Sequence, residues 1–433
     1  MTEQTKKNIS VFWFRRDLRL EDNKGLEQAL NSEHAVLPIF IFDDNIIAEL
    51  PEDDARITFI YDSLQILNFQ LREFEGSLLI LKGKPEEIWQ KLISEYQIKQ
   101  VFFNQDYEPY AIERDNKIRS LLQENGIQLK SYKDQVIFAE NEVVKQDGKP
   151  YTVFTSYKKK WLENYYWNPI IPSKNKIKKN FLKLKLKFPE LSELGYKRSV
   201  IKVRDYDLSH LDRYAETRDF PGLDHTTYLG PHLRFGRVSI RKIIADLKLE
   251  DEIFLSELIW REFFLQILFH FPRVVTENFK TRYNGIRWNY CLRNFERWCN
   301  GETGYPFVDA GMRQLNETGF MHNRVRMIAA GFLCKHLLID WRWGESYFYE
   351  KLLDYELSSN NGNWQWAAGT GCDAAPYFRI FNPAIQLKKF DRDLKYVKKW
   401  IPEYGTSRYS KPIVEHKSAR LRALEVYKAG ITE

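Results

Sequence analysis

Over the first third of the chain, short and nearly continuous apolar runs alternate with segments of helical period. The runs ISVFWF, AVLPIFIF, SLLILKG and VFFN read as strands, because β-branched and aromatic residues crowd them and turn-forming residues bound them. Helical patterns lie between them near Lys24–Leu30, from about Ala55, and near Glu86–Tyr96. Strands separated by helices of this length predict an α/β fold over residues 1–135, a doubly wound parallel sheet of Rossmann-like type. From Tyr151 the pattern weakens into VFTSYKKKWLENYYW and then the lysine-rich SKNKIKKNFLKLKLKFP (Ser173–Pro189), so 136–204 is expected to be an interdomain linker. Its lysines form a solvated tether, with contact to a phosphate backbone as the other use. After about Asp205 the strand signals fade, and helical patterns predict an all-α domain over 205–433.

Within that helical half, the stretch Leu352–Pro383 sets Asn360 and Asn361 beside Trp364 and Trp366, interleaves small residues, and shows little regular apolar spacing. An aromatic-rich core loop accounts for any one of these indoles. The group as a whole favours a planar ligand, with Gly and Ala letting backbone come close, indoles offering π faces and amides hydrogen-bonding to ring edges. In SELIWREFFLQILFHF, the residues Glu257, Trp260, Arg261 and Phe264 fall on one helical face, a carboxylate beside an indole, as suits a heterocycle; a Glu–Arg ion pair beside a core Trp is the alternative. MHNRVRM adds Asn323 and Met327 four apart, with Arg324 and Arg326 beside them. TTYLGPHLRFG (Thr226–Gly236) offers two hydroxyls, a turn and a Gly, chemistry able to hold a pyrophosphate.

Bulk composition narrows the classes. A chain of 433 residues suggests two or three units on a prior of about 150 residues per domain. Its 15% aromatic content, with 12 Trp and 29 Phe, is high and needs a use. No apolar run approaches the roughly 18 residues that span a bilayer, and MTEQTKKNISVFWFRRD carries charge where a signal peptide is apolar, so a cytoplasmic protein is expected. Cys291, Cys299, Cys334 and Cys372 show no CxxC spacing and the eight His no HExxH pair, which argues against a metal site and a disulfide framework. A net charge of +7 favours a polyanionic partner, although a solvated lysine-rich surface explains the charge equally well. RRDLRLEDN (Arg15–Asn23) follows the first strand in place of GxGxxG, against a dehydrogenase-type nucleotide fold.

Taken in order, FRRDLRLEDN, TTYLGPHLRFG, ELIWREFF, TGYPFVDAGMRQL, MHNRVRM, NNGNWQWAAGTGCDAAPYFRIFNP and KPIVEHK resemble the photolyase/cryptochrome family over nearly the whole chain, most closely the class I cyclobutane pyrimidine dimer DNA photolyases. The resemblance implies an N-terminal antenna domain, a helical domain that binds FAD, and damaged DNA as partner, with the protein acting as a monomer and away from membranes. On the cofactor side it implies phosphate contacts by Tyr214, Thr226, Thr227, Tyr228, Leu229 and Gly230. It also implies an acidic segment of Asp354, Tyr355 and Glu356 near ribose and flavin, an Arg326–Asp354 charge pair by the ring, and Asn360 facing the flavin N5. Trp364, Trp341 and Trp288 match the family's electron-hopping chain, although packing is compatible with the same positions. On the DNA side Trp260 and Trp366 would stack against a flipped-out dimer, Glu257 and Asn323 would hydrogen-bond its base edges, Met327 would line the pocket, and Arg218, Arg324 and Gln386 would contact DNA.

Departures from the family pattern inform two points. Gly230 stands for a common Ser and Glu356 for a common Asp, both mild. In NQDYEPYAIERD, Tyr110 and Ala111 occupy the place of the Asn-Glu pair of folate-binding members, so a folate antenna is disfavoured and a deazaflavin, a flavin or an empty site stays open. The rival reading is a cryptochrome, a light receptor without repair; the complete dimer-pocket set argues against it. MHN in place of paired histidines argues against a (6-4) photolyase.

Overall fold

Strands β1 (Asn8–Phe14), β2 (Ala35–Asp43), β3 (Leu79–Gly83), β4 (Gln97–Asn104) and β5 (Gln128–Tyr132) form one parallel sheet in the order β3-β2-β1-β4-β5. This computed structural model describes residues 7–173, 177–374 and 376–431. The central strands are buried on both faces, which is why they read as unbroken apolar runs. Phe12, Phe14, Phe40 and Phe42 face the Lys24–Leu30 and Ala55–Arg72 helices, while Val11, Trp13, Leu37 and Ile39 face the Pro85–Glu95 and Pro109–Glu124 helices. Asn23 and Asp54 cap the first two of these helices, their side chains accepting from the N–H groups of Leu26 and Arg56. The Pro109–Glu124 helix and β5 were not anticipated; β5, QLKSY, is an edge strand with a mostly polar, half-exposed surface.

The order reverses between β1 and β4, and RRDLRLEDN leaves β1 at that point. Its charges turn inward. Asn104 donates to Asp17 Oδ2 at 2.5 Å, Arg19 pairs with Asp134 at 2.6 Å, and Arg241 reaches Asp22 at 2.8 Å and Asp134 at 2.7 Å. Burial pushes the Asp134 carboxyl up, but the Arg19 and Arg241 guanidiniums outweigh it and hold it below the usual carboxylate range.

The chain divides into two units that interleave in sequence. The first comprises the described residues up to Ala139, Asn164–Val203 and Gly230–Leu247; the second comprises Glu140–Glu163, Arg204–Leu229 and the described residues from Lys248 onward. Gly230–Leu247 was expected in the helical domain, yet Arg241 joins it to the sheet unit through Asp22 and Asp134.

The expected linker is more ordered than its composition suggested. Phe154–Trp167 is a helix whose buried Phe154, Tyr157 and Trp161 recur at helical spacing. Further on, Val36 N–H donates to Asn180 O and Leu182 N–H to Val36 O, each at 2.8 Å, so the lysine-rich segment runs extended beside β2. Phe181, Leu182 and Leu184 pack inward while Lys183 and Lys185 face solvent, and Lys183 pairs with Glu75 and Lys187 with Glu193. Lys174 and Lys176 lie outside the described residues.

The second unit is helical, with an isolated Val144–Pro150 bridge and no strand among its described residues. Its core gathers Trp298, Phe307, Met312, Phe332, Trp341, Phe348 and Trp364. Leu357–Ala368 is a helix, contrary to the expectation raised by its irregular apolar spacing. Its small residues serve packing: a Cβ on Gly362 would lie 2.1 Å from the Phe264 ring, and Ala367 and Ala368 are buried. Close approach to a flat ligand is therefore not what Gly362 provides. Ala375 lies outside the described residues.

Candidate functional site

Four ion pairs close a ring that draws together most of the charged candidates. Along the Glu252–His270 helix, Glu257 and Arg261 sit one turn apart. Glu257 accepts from Arg218 at 2.7 Å and Arg261 donates to Glu356 at 3.2 Å. On the Asn323–Gly331 helix, Arg324 pairs with Asp219 at 2.6 Å, and Arg326 holds Asp354 in bidentate fashion at 3.1 and 2.9 Å. Because Arg218 adjoins Asp219 and Asp354 lies two residues before Glu356, two helices and two connecting segments are cross-linked in sequence. Glu257 does pair with an arginine, but with Arg218 and not with its helical neighbour Arg261.

Local chemistry sets each member. His322 caps the Asn323–Gly331 helix, its Nδ1 accepting the Arg324 N–H at 3.2 Å. Burial, then the nearby Arg326 charge, lowers His322 to about 4, so its ring is neutral and available as an acceptor at neutral pH. Arg324 also lies 3.6 Å from Met327 Sδ and over the Phe390 ring at 4.5 Å, which draws in the Pro383–Phe390 helix carrying Gln386. Asn323 is exposed, and Trp366 is half-buried against the core.

Trp260 is half-buried among three phenylalanines: Phe154 stacked at 3.6 Å, Phe264 at 5.3 Å and Phe263 edge-on at 5.5 Å. Tyr214 packs edge-on against Phe254 at 5.1 Å, and burial, with the Glu257 charge adding to it, pushes its hydroxyl up to about 12. In the Thr226–Gly230 run, Thr227 O accepts the Asp207 N–H at 2.9 Å and Leu229 is buried. The left-handed position there is Tyr228, with φ +50°, and not the glycine; the Arg204 guanidinium lies over the Tyr228 ring at 3.9 Å. Gly230 is exposed in the Leu229–Arg234 helix and belongs to the first unit.

The Leu357–Ala368 helix presents Asn360 and Trp364 one turn apart. Asn360 Nδ2 donates to Glu345 Oε1 at 2.9 Å and to Glu345 O at 3.1 Å. Both partners are acceptors, so the amide nitrogen must face Glu345 and the carbonyl Oδ1 turns away from it. Trp341 donates its Nε1 to Asn278 Oδ1 at 2.9 Å. Gly344, one turn beyond Trp341, lies so close to Trp364 that a Cβ would meet its ring at 2.1 Å. Trp364 also meets Phe348 at 4.9 Å and Trp298 at 6.1 Å. Trp288 is half-buried against the core that holds Trp341 and Trp364, and sits edge-on to Tyr427 at 5.9 Å. Tyr355 packs edge-on to Tyr349 at 4.8 Å.

Within the second unit, Ser358 Oγ and Trp364 Nε1 are buried without a hydrogen-bond partner in the protein. Trp364 shares the helical face of Asn360, whereas Ser358 lies roughly 200° round from it, so Trp364 Nε1 is the orphaned group beside Asn360 that suits a ligand with polar ring edges.

Comparison with known proteins gives this arrangement a lineage. Residues 10–176 match the family model described as DNA photolyase, and residues 254–407 the model described as the FAD binding domain of DNA photolyase. A deoxyribodipyrimidine photo-lyase of Halobacterium salinarum is 36% identical, over 91% of this chain and 89% of its own length.

The chain belongs to the DNA photolyase family.

Among solved photolyases, a class III enzyme from Agrobacterium tumefaciens is similar with a TM-score of 0.86 and 33% identity, covering 99% of both chains. An archaeal photolyase from Sulfolobus tokodaii with two FAD molecules is similar at 0.84 and 33% identity, covering 98% of this chain and 100% of its own. Since a class III enzyme superposes this well, the similarity establishes the family and not the class. The Glu257 to Asn360 candidates fall inside the FAD-binding match, while Tyr214 and Thr226–Gly230 fall between the two matches. Photolyase motifs did not point to Glu345, Asp219, Trp298 or Phe154. Only Phe154 carried a readable signal, the spacing it shares with Tyr157 and Trp161.

Proposed function

We propose that the protein is a light-dependent DNA lyase that binds a cyclobutane pyrimidine dimer and splits it to monomers. The observation that carries this reading is the ring of four ion pairs: Glu257 and Arg324, expected on the lesion side, share it with Arg326, Asp354 and Glu356, expected on the flavin side. Bound in its reduced form, FAD supplies the electron that light drives into the dimer. Overall the reaction is redox-neutral, two C–C bonds opening as two C=C bonds return.

The chain's own residues bind, orient and exclude water. Trp260 and Trp366 stack against the extruded dimer. Flipping costs a few kcal/mol, and aromatic stacking returns roughly 1–3 kcal/mol per base, enough to offset it. Glu257, held through one carboxylate oxygen by Arg218, and Asn323 hydrogen-bond the base edges, and Met327 lines the pocket. Arg218, Arg324 and Gln386 hold the DNA, which makes affinity salt-dependent. Tyr214 and the Thr226–Leu229 run hold the phosphates of the cofactor, and Asp354, Tyr355 and Glu356 its sugar side. Asn360, its amide nitrogen taken up by Glu345, would offer its carbonyl to the flavin N5, and Trp364, Trp341 and Trp288 would pass electrons inward from the surface.

A second chromophore in the sheet unit fits the same reading, and folate is not our choice for it. Tyr110 donates to Asp43 Oδ2 at 2.6 Å and accepts from Asn45 at 3.1 Å, and Ala111 is buried, where folate-binding members carry an Asn-Glu pair. No helix among the described residues is long and apolar enough to cross a membrane. The reading has the protein act as a monomer on DNA in the cytoplasm.

Illumination tests it. Photoreduced protein under blue light is expected to remove thymine dimers from single-stranded and duplex oligonucleotides, followed by chromatography of the products. Robust flavin reduction with no dimer loss would favour a cryptochrome-type receptor.

A further inference from the structure

The Phe154–Trp167 helix, expected to be part of a tether, begins with a ring that covers Trp260. Phe154 and Trp260 lie 3.6 Å apart between centroids and 7° from parallel. Contacting carbon atoms have their optimum at about 3.5–4.0 Å, so this face of the indole is full and no base can enter between the two rings. A lesion must meet the part of Trp260 that Phe154 leaves uncovered.

Phe154 is itself held from several directions. Its N–H donates to Asp373 Oδ2 at 3.1 Å, and its ring sits edge-on to Phe263 at 5.8 Å. One turn on, Tyr157 packs against the same Phe263 at 5.3 Å, and then Trp161 donates Nε1 to the buried Glu262 at 2.7 Å. The helix is thereby pinned along the Glu252–His270 helix that carries Trp260. Asp373 lies in the loop that follows the helix carrying Trp366.

We infer that Phe154 is the positioning residue that sets the plane of Trp260 for dimer capture, with Asp373 as its anchor. It acts through Trp260 and does not touch DNA. This deepens the function proposed above and rests on it. Stacking depends on the angle between planes as well as on contact area. A side chain of similar volume without a plane therefore fills the space and loses the alignment, whereas a second aromatic ring restores it.

The test uses the full-length, flavin-loaded protein, with dark binding measured on an oligonucleotide bearing one thymine dimer and on its undamaged twin. Phe154→Leu is expected to weaken dimer binding about tenfold, with undamaged DNA bound as before, and Phe154→Tyr to return within about twofold of the parent, as expected for loss and recovery of part of one stacking contact. In turnover the leucine variant raises KM and keeps kcat at saturating dimer, the pattern of lost binding that is equal in ground and transition states. Unchanged dimer affinity in Phe154→Leu, an equal loss on damaged and undamaged DNA, or failure of Phe154→Tyr to recover would each overturn the inference. If Phe154→Leu does not retain FAD, Asp373→Ala carries the same test, because it leaves both rings in place and removes the anchor; parental dimer affinity there would be equally fatal. A parent protein that binds no dimer would overturn the proposed function itself.

Discussion

Asn360 and Glu345 are joined twice, from the one amide nitrogen to the carboxylate at 2.9 Å and to the backbone carbonyl at 3.1 Å. Burial raises the Glu345 carboxyl above its ordinary value of 4.5, and the Asn360 hydrogen bond opposes this without cancelling it. The native chain therefore holds the Glu345 proton more tightly than the unfolded chain does. This group's contribution to stability is greatest below pH 4.5 and is lost as pH rises through the folded pKa. Glu345→Gln, neutral at every pH and still an acceptor for Asn360, is expected to melt above the parent at pH 7.5 and to converge with it near pH 4. Thermal melts at the two values check this; an equal gap at both would exclude titration of Glu345 as the cause.

Breaking the Arg326–Asp354 pair should loosen the cofactor side of the ring. Both side chains are about a fifth exposed, at 24% and 19%, so solvent screens part of the interaction and the loss is put at about 1–2 kcal/mol. Asp354→Asn is expected to lower the melting temperature by a few degrees and to reduce FAD stoichiometry, read from the ratio of flavin to protein absorbance. Full FAD occupancy with unchanged affinity would remove Asp354 from the cofactor side.

Trp364 is expected to serve electron entry more than repair. Trp364→Phe should slow photoreduction of oxidised flavin at least tenfold, while pre-reduced protein still splits dimers; transient absorption and dimer assays separate the two. Loss of both would mean that the indole is needed for packing. The neighbouring Gly344→Ala gives the packing control. Its Cβ would fall 2.1 Å from Trp364 and 2.6 Å from Leu333, an overpacking cost of about 1–3 kcal/mol visible as a lower melting temperature.

Arg241 is expected to matter for folding of the sheet unit and not for chemistry. Arg241→Met would leave Asp22 and Asp134 buried with one cation fewer, a loss of about 3–5 kcal/mol. Urea unfolding should show a lower midpoint, with dimer binding of the surviving folded fraction unchanged. Stability equal to the parent's would mean that Arg19 alone satisfies Asp134.

The ion-pair ring shows how much of the site can be read from local text. MHNRVRM and ELIWREFF each place their charged residues correctly on one helix, because spacing of 3.6 residues per turn is a local rule. The partner of each charge is not local. Glu257 pairs with Arg218 across 39 residues and Arg324 with Asp219 across 105, and any of several arginines or carboxylates would satisfy the same spacing. Order within the linker is hidden for a related reason: lysines between apolar residues mask both the spacing of Phe154, Tyr157 and Trp161 and the alternation in FLKLKLKF.

Local periodicity thus determined four of the five strands, the helices between them and the split between a sheet-bearing half and a helical half, since backbone geometry imposes it within a few residues. The ordered motifs, read as text, were enough to point to the family. Packing decided the rest: that Gly230–Leu247 joins the sheet unit, that Gly362 makes room for Phe264, that Glu345 orients Asn360, and that Phe154 covers Trp260. Each of these depends on which surfaces meet after the chain has folded, and contacts between residues far apart in sequence leave no periodic trace along it.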